Sequence, residues 1–227
     1  MWGAHAMGMN RRYASLAELP GTARLFPLSG ALLLPRGELP LNIFEPRYLE
    51  MVDDAIAGDR LIGVIQPLAC GDGAEPKLYQ IGCLGRLTHF CEMGDGRYLI
   101  TLTGVARFKV IAEAPPTGRF RRCVVAFDEF AGDLEAGAGE AAVDRGRMIL
   151  MLREFAEETG VEVDWSSIDA APTETLVNAL AMMCPFGPRE KQSLLEAIDL
   201  KTRAEMLIGL AAFELAQETP GEPRQFH

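Results

Sequence analysis

Residues 25–66 read LFPLSGALLLPRGELPLNIFEPRYLEMVDDAIAGDRLIGVIQ, and the prolines and glycines in this stretch mark where its elements begin and end. Pro27 and Pro40 each lie inside an extended apolar tripeptide. This is typical of edge or strand-start positions, because proline has no N–H to donate to a ladder. Pro46 predicts the first turn of a helix, and Gly58 predicts its end. The stretch therefore predicts two strand-like segments followed by a short helix.

The next part of the chain predicts a hairpin of long strands. Residues 61–65, LIGVI, form a short apolar run that is suited to a buried strand. Gly94-Asp95-Gly96 is a strong turn signal between strand-like segments at 77–91 and 97–110. Gly104 interrupts the second segment and indicates a bulge or a bend.

Residues 121–130 predict one more strand, with Cys123, Val125 and Phe127 on one face and Val124, Ala126 and Asp128 on the other. About six strands with a single inserted helix are typical of a small closed or half-closed barrel. The sequence therefore predicts a β barrel in its first half.

Composition changes at residues 131–140, AGDLEAGAGE, whose small, acidic and glycine-rich character is typical of a linker. Everything after it reads as helices joined by short turns, which must pack together as a bundle. We therefore predict an α+β protein. Its divisions are a loose lead-in at 1–22, a β-barrel domain at 23–130, a linker at 131–140, a helical bundle at 141–218 and a tail at 219–227.

Helical spacing predicts which side chains of the bundle face inward. Thr173 can cap one helix, and the capping box Thr202-Arg203-Ala204-Glu205 predicts the start of the last. The predicted inward residues are Leu176, Val177, Leu180 and Met183 in the first of these, Leu194, Leu195 and Ile198 in the next, and Met206, Leu207, Leu210 and Phe213 in the last.

Bulk composition limits the classes of partner. The formal net charge of −10 opposes contact with nucleic-acid phosphates or anionic lipid. Five cysteines at irregular spacings, without a C-x-x-C pair, indicate free thiols in a reducing compartment. The N-terminus has no secretory pattern, and no apolar run approaches the ~20 residues that span a bilayer. We expect a cytoplasmic protein with no membrane partner.

Four segments in order carry a family resemblance: LFPL, LLLP-x-x-x-LPLNIFEPRY, YQIGCLGRLTHF and GRYLITLTGVARFKV. Each alone is unspecific, but the ordered series resembles the amino-terminal substrate-recognition domain of Lon proteases. The later turn PFGPREKQSLLEA is similar to a helix entry in the bundle that follows that domain. The resemblance covers most of residues 24–215, and it implies a PUA-like barrel followed by helices.

The departures from a full Lon protease shape the predicted function. The chain has no G-x-x-x-x-G-K-[ST] loop to bind ATP phosphates, and its serines and lysines form no recognisable peptidase pair. We therefore expect a standalone recognition domain without ATPase, peptidase or other enzyme activity. What the resemblance implies is binding of unfolded or exposed polypeptide segments, as an adaptor or sensor in protein quality control.

Cys83, His89 and Cys91 are the nearest approach to a chemical site. On one strand they would share a face, but Cys83 would lie roughly 20 Å from His89. Structural zinc prefers four closely spaced ligands, so we read these residues as buried thiols and a surface histidine. A Cys91–His89 hydrolase pair on one strand face would be poorly oriented. The sequence therefore predicts no catalytic residue, no metal and no cofactor.

Arg119-Phe120-Arg121-Arg122 mixes basic and aromatic residues, as nucleic-acid sites do. This cluster is the basis of an alternative function, a PUA-like RNA-binding protein. The negative net charge disfavours that alternative, and an edge strand protected by charge explains the cluster equally well. A small unrecognised enzyme built around His89 is the second alternative.

Met182 and Phe186 are the predicted substrate-binding residues. Methionine is flexible and polarizable, which suits binding to varied apolar segments. Helical phase places Met183 in the core and leaves Met182 and Phe186 free to be exposed at the junction of barrel and bundle, where a groove is expected. The predicted partners are polypeptide segments and, as a further candidate, a protease. Strand addition to a barrel edge is an additional binding mode.

Overall fold

The structure, a computed structural model, describes residues 13–68, 76–115, 117–160 and 162–217. Within these ranges the strands are β1 (Thr22–Pro27), β2 (Glu38–Ile43), β3 (Leu61–Pro67), β4 (Leu78–Glu92), β5 (Tyr98–Glu113) and β6 (Arg121–Ala126). The α-helices are α1 (Pro46–Ala57), α2 (Arg145–Thr159), α3 (Trp165–Ala170), α4 (Thr173–Met183), α5 (Pro188–Glu196) and α6 (Leu200–Gln217). Short 3₁₀ helices lie at Leu16–Glu18, Asp128–Leu134 and Glu140–Ala142.

The strands form one mixed sheet that returns on itself. Their order is β2-β5-β4-β3-β1-β6, and β6 pairs with β5 as well as with β1. The first half of the long strand β5 pairs with β2, and its last residues pair with β6. Five strands are therefore hydrogen-bonded in a circle, while β2 has one strand partner among the described residues. Among the described strands, β1 and β3 are the one parallel pair.

Alternate residues of the strands face two separate apolar clusters. In β3, Leu61 and Ile65 belong to a cluster enclosed by the strands, whereas Ile62 and Val64 belong to a larger cluster shared with the helices. A strand buried on both faces reads as a continuous apolar run, which explains the LIGVI segment. Phe108 fills the enclosed cluster.

The helices cover the outer face of the sheet. Helix α1 buries Met51, Val52 and Ala55 in the larger cluster, to which Met148 of α2 and Leu207 of α6 also belong. Helices α2, α4 and α5 each contact α6, and α5 also contacts β4. The strands and the helices therefore share one core.

Several sequence predictions are confirmed. Pro46 lies in the first turn of α1, and Gly58 is its C-cap residue. The β4–β5 hairpin turns at Gly94–Gly96, where Gly96 has a φ of +81°. The register of β4 and β5 shifts beside Gly104, as the predicted bulge requires. Cys123, Val125 and Phe127 are buried.

Other predictions are wrong. Met183, Ile198 and Phe213 were expected to face inward, but they are 80%, 81% and 61% exposed. Helix α6 begins before the predicted capping box, and Asp199 accepts the hydrogen bond from the Thr202 N–H at 2.7 Å. Helix α3 was not predicted.

The structure describes only part of the predicted lead-in and none of the predicted tail. Residues 1–12 and the predicted tail at 219–227 lie outside the described residues. Within the predicted lead-in, Leu19 is buried in the enclosed cluster, and Leu16 packs against the same cluster.

No helix in the described part of the chain has both the length and the apolar character needed to cross a membrane.

Candidate functional site

A groove of about 630 Å³ runs between the start of strand β2 and helix α4. One wall is the connection from β1 into β2, residues 30–40. The other wall is α4, and Lys191 of α5 lies beside it. Leu32, Leu39 and Pro40 give the first wall an apolar surface.

Helix α4 lines the groove with Glu174 of its first turn and with a stripe of five residues: Thr175, Asn178, Ala179, Met182 and Met183. The last four of these lie three, four, seven and eight positions after Thr175, and this spacing places all five on one side of the helix. A second stripe of α4, which includes Leu176, Val177 and Ala181, is buried in the shared core. One helix therefore supports the core and lines the groove at the same time.

The opposite wall depends on a close approach of two backbones. A Cβ atom at Gly104 of β5 would overlap the carbonyl oxygen of Leu34, so only glycine allows the 34–35 segment to lie there. Two hydrogen bonds hold the turn, from Arg36 N to Gly104 O and from Gly104 N to Gly37 O, both 2.8 Å long. Arg36 adopts a φ of +64°, which is unusual for a residue with a side chain.

Met182 and Gly37 form the closest contact across the groove. A Cβ atom at Gly37 would overlap the Sδ atom of Met182. The thioether therefore rests on the glycine backbone, where it joins the two walls. Met183, the next residue, is 80% exposed.

Asn178 fixes the distance between helix and loop. Its Nδ2 donates to the Pro35 carbonyl at 3.1 Å, and its Oδ1 accepts from Nη1 of Arg203 at 2.9 Å. Asn178 and Arg203 are both buried, so these bonds have few competing waters. The pair connects the groove to helix α6.

An ion pair between Arg36 and Glu174 lies at the groove margin. Arg36 Nε donates to Glu174 Oε2 at 3.0 Å, and Arg36 Nη1 donates to the Asp133 carbonyl at 2.6 Å. The same Glu174 oxygen accepts from Gly137 N at 2.8 Å. The segment predicted as a linker therefore bonds to both walls of the groove.

Next to the groove, a buried ion pair links the sheet to the helices. Arg107 and Asp133 are buried, and Arg107 Nη2 donates to Asp133 Oδ1 at 2.7 Å. Arg107 Nη1 also donates to the carbonyls of Leu195 and Ala197, at 3.1 and 2.5 Å. Burial and the neighbouring Arg107 charge lower the pKa of Arg203 to about 10. Asp133 is therefore the counter-charge for a buried cationic cluster.

Two other charged residues line the groove, Glu38 and Lys191, and they differ from the buried pair in having no ionic partner in the described chain. Glu38 of β2 is exposed and makes no ion pair with a described residue. Lys191 is half-buried, and its Nζ donates to the Met182 carbonyl at 3.3 Å. Burial lowers the pKa of the Lys191 ammonium. The groove thus contains one paired set of charges, Arg36 with Glu174, and two charges without an ionic partner in the described chain.

The groove is lined mostly by apolar side chains, with a few polar and charged groups among them. Among the described residues that line it there is no histidine, cysteine, serine or aspartate. Thr175 supplies a hydroxyl, Glu174 is paired with Arg36, and Glu38 lies on the opposite wall. Apolar side chains with a few placed polar groups are typical of ligand sites.

The two predicted substrate-binding residues separate. Met182 lines the groove. Phe186 is only 6% exposed and belongs to the shared core, so its expected exposure is wrong. Helix α4 ends at Met183 and the backbone of Cys184 and Gly187 is not helical, so helical phase does not predict which way Phe186 faces.

The residues of the second predicted cluster are also placed apart. Cys83 is buried, and burial raises the pKa of its thiol. His89 and Cys91 are exposed on the same strand. A register shift between Leu87 and His89 changes which way the strand faces, so the expected shared face of all three residues is wrong. Within the described residues, no group of three or more His, Cys, Asp or Glu side chains is placed to hold a metal.

The basic cluster at Arg119–Arg122 is engaged within the protein. Phe120 is 4% exposed and packs in the shared core, so it offers no surface for stacking. Arg119 Nε bonds Glu50 at 2.6 Å, and Arg121 pairs with Glu113. Arg122 bonds the hydroxyl of Thr117 at 3.1 Å.

Sequence reasoning missed most of the groove. Arg36, Glu174 and Lys191 were not identified, because charged side chains on loops and helix surfaces give no periodic signal. Arg36-Gly37 could have been identified as a turn. Nothing local indicates that Arg36 pairs with Glu174, which is 138 residues away.

Sequence comparison identifies the family of this arrangement. The model of the ATP-dependent protease La (LON) substrate-binding domain matches residues 22–212. The Lon protease of Anaeromyxobacter dehalogenans is 24% identical over 206 residues, which is 85% of this chain and 23% of that protein. Lon protease 2 of Myxococcus xanthus is 25% identical over 204 residues, with 85% and 24% covered. The chain spans about a quarter of the length of these relatives.

Solved structures have the same architecture. The Lon N-terminal domain protein from Xanthomonas campestris superposes with a TM-score of 0.57 at 26% identity, covering 83% of this chain and 97% of that one. The N-terminal domain of Mycobacterium avium complex Lon protease superposes with a TM-score of 0.58 at 14% identity, covering 84% of this chain and 98% of that one. At this identity the likeness concerns the fold only. The chain belongs to the family of Lon protease substrate-binding domains.

Proposed function

We propose that this protein recognises polypeptide segments, either unfolded or exposed apolar stretches, without catalysing a reaction, and that the groove between β2 and α4 holds them. The observation that carries the proposal is the groove itself, whose walls are an edge strand and the Met182–Met183 end of α4. Flexible methionines can adapt to apolar side chains of different shapes.

Family membership supports the ligand class. The matched domain is described as substrate-binding, and the matched relatives are proteases. Roles as an adaptor or sensor, and a protease as partner, are part of this proposal. So is a cytoplasmic location, which agrees with the free thiols of Cys83, Cys91, Cys123 and Cys184.

The binding mode that we favour uses side chains more than strand addition. Strand β2 has a free edge in the described chain, which could accept a peptide strand. Pro40 lies in the middle of that edge strand and has no N–H, so an added strand would lack one ladder bond. Leu39 and α4 must then supply most of the contact area.

We also propose that the circle of strands is a PUA-like barrel and that α2–α6 form a helical bundle, with boundaries at 23–130 and 141–218. The circular pairing of β5, β4, β3, β1 and β6 supports the barrel. The contacts of α2, α4 and α5 with α6 support the bundle.

Filling the groove tests the proposed function. Ala179 lies in the groove-facing stripe of α4, and Ala179→Trp would occupy the groove with an indole ring. Ala212→Trp, at an exposed alanine of α6 outside the groove, is the matched control. Binding of fluorescent apolar peptides of about ten residues, enough to form a strand, is measured by anisotropy for both variants and the wild type.

We expect Ala179→Trp to weaken peptide binding by about tenfold or more. The indole ring would take the place of the peptide, which would then lose apolar contact area with the groove. Ala212→Trp should bind like the wild type. Equal peptide binding by both variants would remove the groove from the proposal. Absence of peptide binding together with tight binding of single-stranded RNA would replace it with the RNA-binding alternative.

A further inference from the structure

Lys191 is the one cation of the groove that lacks a carboxylate partner in the described chain. Arg36, the other groove cation, is paired with Glu174. Two lysines outside the groove have partners, since Lys109 Nζ lies 2.6 Å from Glu129 and Lys201 Nζ lies 3.8 Å from Glu205. Lys77, the other lysine of the described chain, is exposed and lies outside the groove. Lys191 therefore presents a positive charge to the groove itself.

The hydrogen bond of Lys191 explains only part of its position. Its Nζ donates to the carbonyl of Met182 at 3.3 Å, near the end of α4, where helix carbonyls lack partners within the helix. An ammonium group has three donors, so one is used in this way and two remain. Those two donors are available to a ligand.

The surroundings of Lys191 strengthen its attraction for an anionic ligand. The ammonium is half-buried beside Met182 and Met183, and burial lowers the pKa of Lys191. A charge that has lost part of its hydration interacts more strongly with an opposite charge than one in bulk water. A carboxylate placed here would restore the stability of the charged form.

We propose that Lys191 selects the segment that the groove binds, by pairing with the side-chain carboxylate of a single Asp or Glu flanked by apolar residues. This inference rests on the proposed function, because it names the class of polypeptide that the same groove takes. The apolar flanks contact Leu39, Ala179 and Met183, and the acidic side chain reaches Lys191.

The other charges of the groove favour one acidic residue over several. Glu38 lies on the opposite wall without an ionic partner among the described residues, and Glu174 is neutralised by Arg36. A second acidic side chain near Glu38 would be repelled, and the net charge of −10 disfavours acidic runs in general.

The test compares three amidated peptides of about ten residues that differ at one central position, Glu, Gln or Lys, within an otherwise apolar and strand-forming sequence. Affinities are measured by fluorescence anisotropy for the wild type, Lys191→Gln and Lys191→Glu. Lys201→Gln, which changes a helix lysine outside the groove, is the matched control.

We expect the wild type and Lys201→Gln to bind the Glu peptide about tenfold more tightly than the Gln peptide, as a charge-assisted hydrogen bond predicts. Lys191→Gln should lose this preference. Lys191→Glu should reverse it and bind the Lys peptide more tightly than the Glu peptide. A reversal of this kind cannot arise from misfolding.

Two outcomes would overturn the inference and leave the proposed function standing. In the first, all variants bind the peptides with the same Glu-to-Gln ratio. In the second, a Gln peptide with a free C-terminal carboxylate binds the wild type as well as the amidated Glu peptide, which would make the chain end the ligand. If no peptide binds any variant, the proposed function itself fails.

Discussion

The interface between the strands and the helices has two halves that use charged side chains in opposite ways. In the closed half, Arg107 and Asp133 are buried together, and Arg203 bonds Asn178 and the Leu194 carbonyl. In the open half, which is the groove, Glu38 and Lys191 have no ionic partner among the described residues. Asn178 belongs to both halves.

The difference shows where this protein can leave a charge unpaired. A buried cation without a counter-charge would destabilise the fold by several kcal/mol, so the closed half must provide its own partners. At the groove, water can solvate Lys191 until a ligand arrives. The same interface therefore supplies stability on one side and binding capacity on the other.

The largest expected effect comes from removing the counter-charge of the closed half. Asp133→Asn leaves Arg107 buried without a carboxylate, and we expect the free energy of unfolding to fall by about 3–5 kcal/mol. Urea denaturation followed by circular dichroism measures this change. Glu129→Gln removes the partner of exposed Lys109 and should cost less than about 1 kcal/mol. Equal losses for the two variants would contradict the division between the halves.

Asn178→Ala affects the residue shared by both halves. It leaves the Pro35 carbonyl and Nη1 of Arg203 without their partner, and we expect a loss of about 1–3 kcal/mol in the free energy of unfolding. Peptide affinity should fall as well, since the bond that sets the groove width is gone. The control is Asn42→Ala in β2, where loss of the exposed side chain should change the free energy of unfolding by less than about 0.5 kcal/mol. A stable Asn178→Ala protein with unchanged affinity would show that Asn178 does not join the halves.

Gly37→Ala changes the open half alone. The added Cβ would overlap Met182 Sδ, which lies at the end of a flexible side chain, so we expect less than about 1.5 kcal/mol of destabilisation. The displaced Met182 should nevertheless weaken peptide binding. Adding Met182→Ala removes the clash, and a double-mutant cycle then measures how strongly the two sites are coupled. Independent effects on affinity would argue against Met182 as a binding residue.

The smallest effect concerns the titration of Lys191. Because burial lowers its pKa, the folded protein should release this proton before the unfolded chain does, and stability should rise with pH between the two values. In an NMR titration we expect Lys191 to lose its proton at a lower pH in the folded protein than in the urea-unfolded chain. Addition of the Glu peptide should raise the midpoint for Lys191. Identical midpoints for Lys191 in the folded and unfolded chains would show that the groove does not desolvate its cation.

Local signals were sufficient for much of the fold. Pro46 and Gly58 define α1, and Gly94-Asp95-Gly96 defines the β4–β5 turn, because each depends on backbone geometry that few residues satisfy. Buried strand β3 was predicted from its apolar run. The family was predicted from ordered segments and is confirmed over residues 22–212.

The candidate site was predicted poorly, and α4 shows why. Periodicity predicted an inward stripe of Leu176, Val177, Leu180 and Met183, but the helix has core on one side and the groove on another. An apolar residue satisfies either environment, so spacing alone cannot distinguish Met183, which is exposed, from Phe186, which is buried.

The sequence by itself determined the position of α1, the β4–β5 turn, the buried strand β3 and the family. The tertiary structure alone decided which charges are paired. Arg36 meets Glu174 across 138 positions, Arg107 meets Asp133 across 26, and Lys191 meets no carboxylate in the described chain. Turns and strands depend on neighbours along the chain, whereas the partner of a charge depends on which distant backbones approach each other. In this protein the close approach at Gly104 and the packing of α4 set those distances.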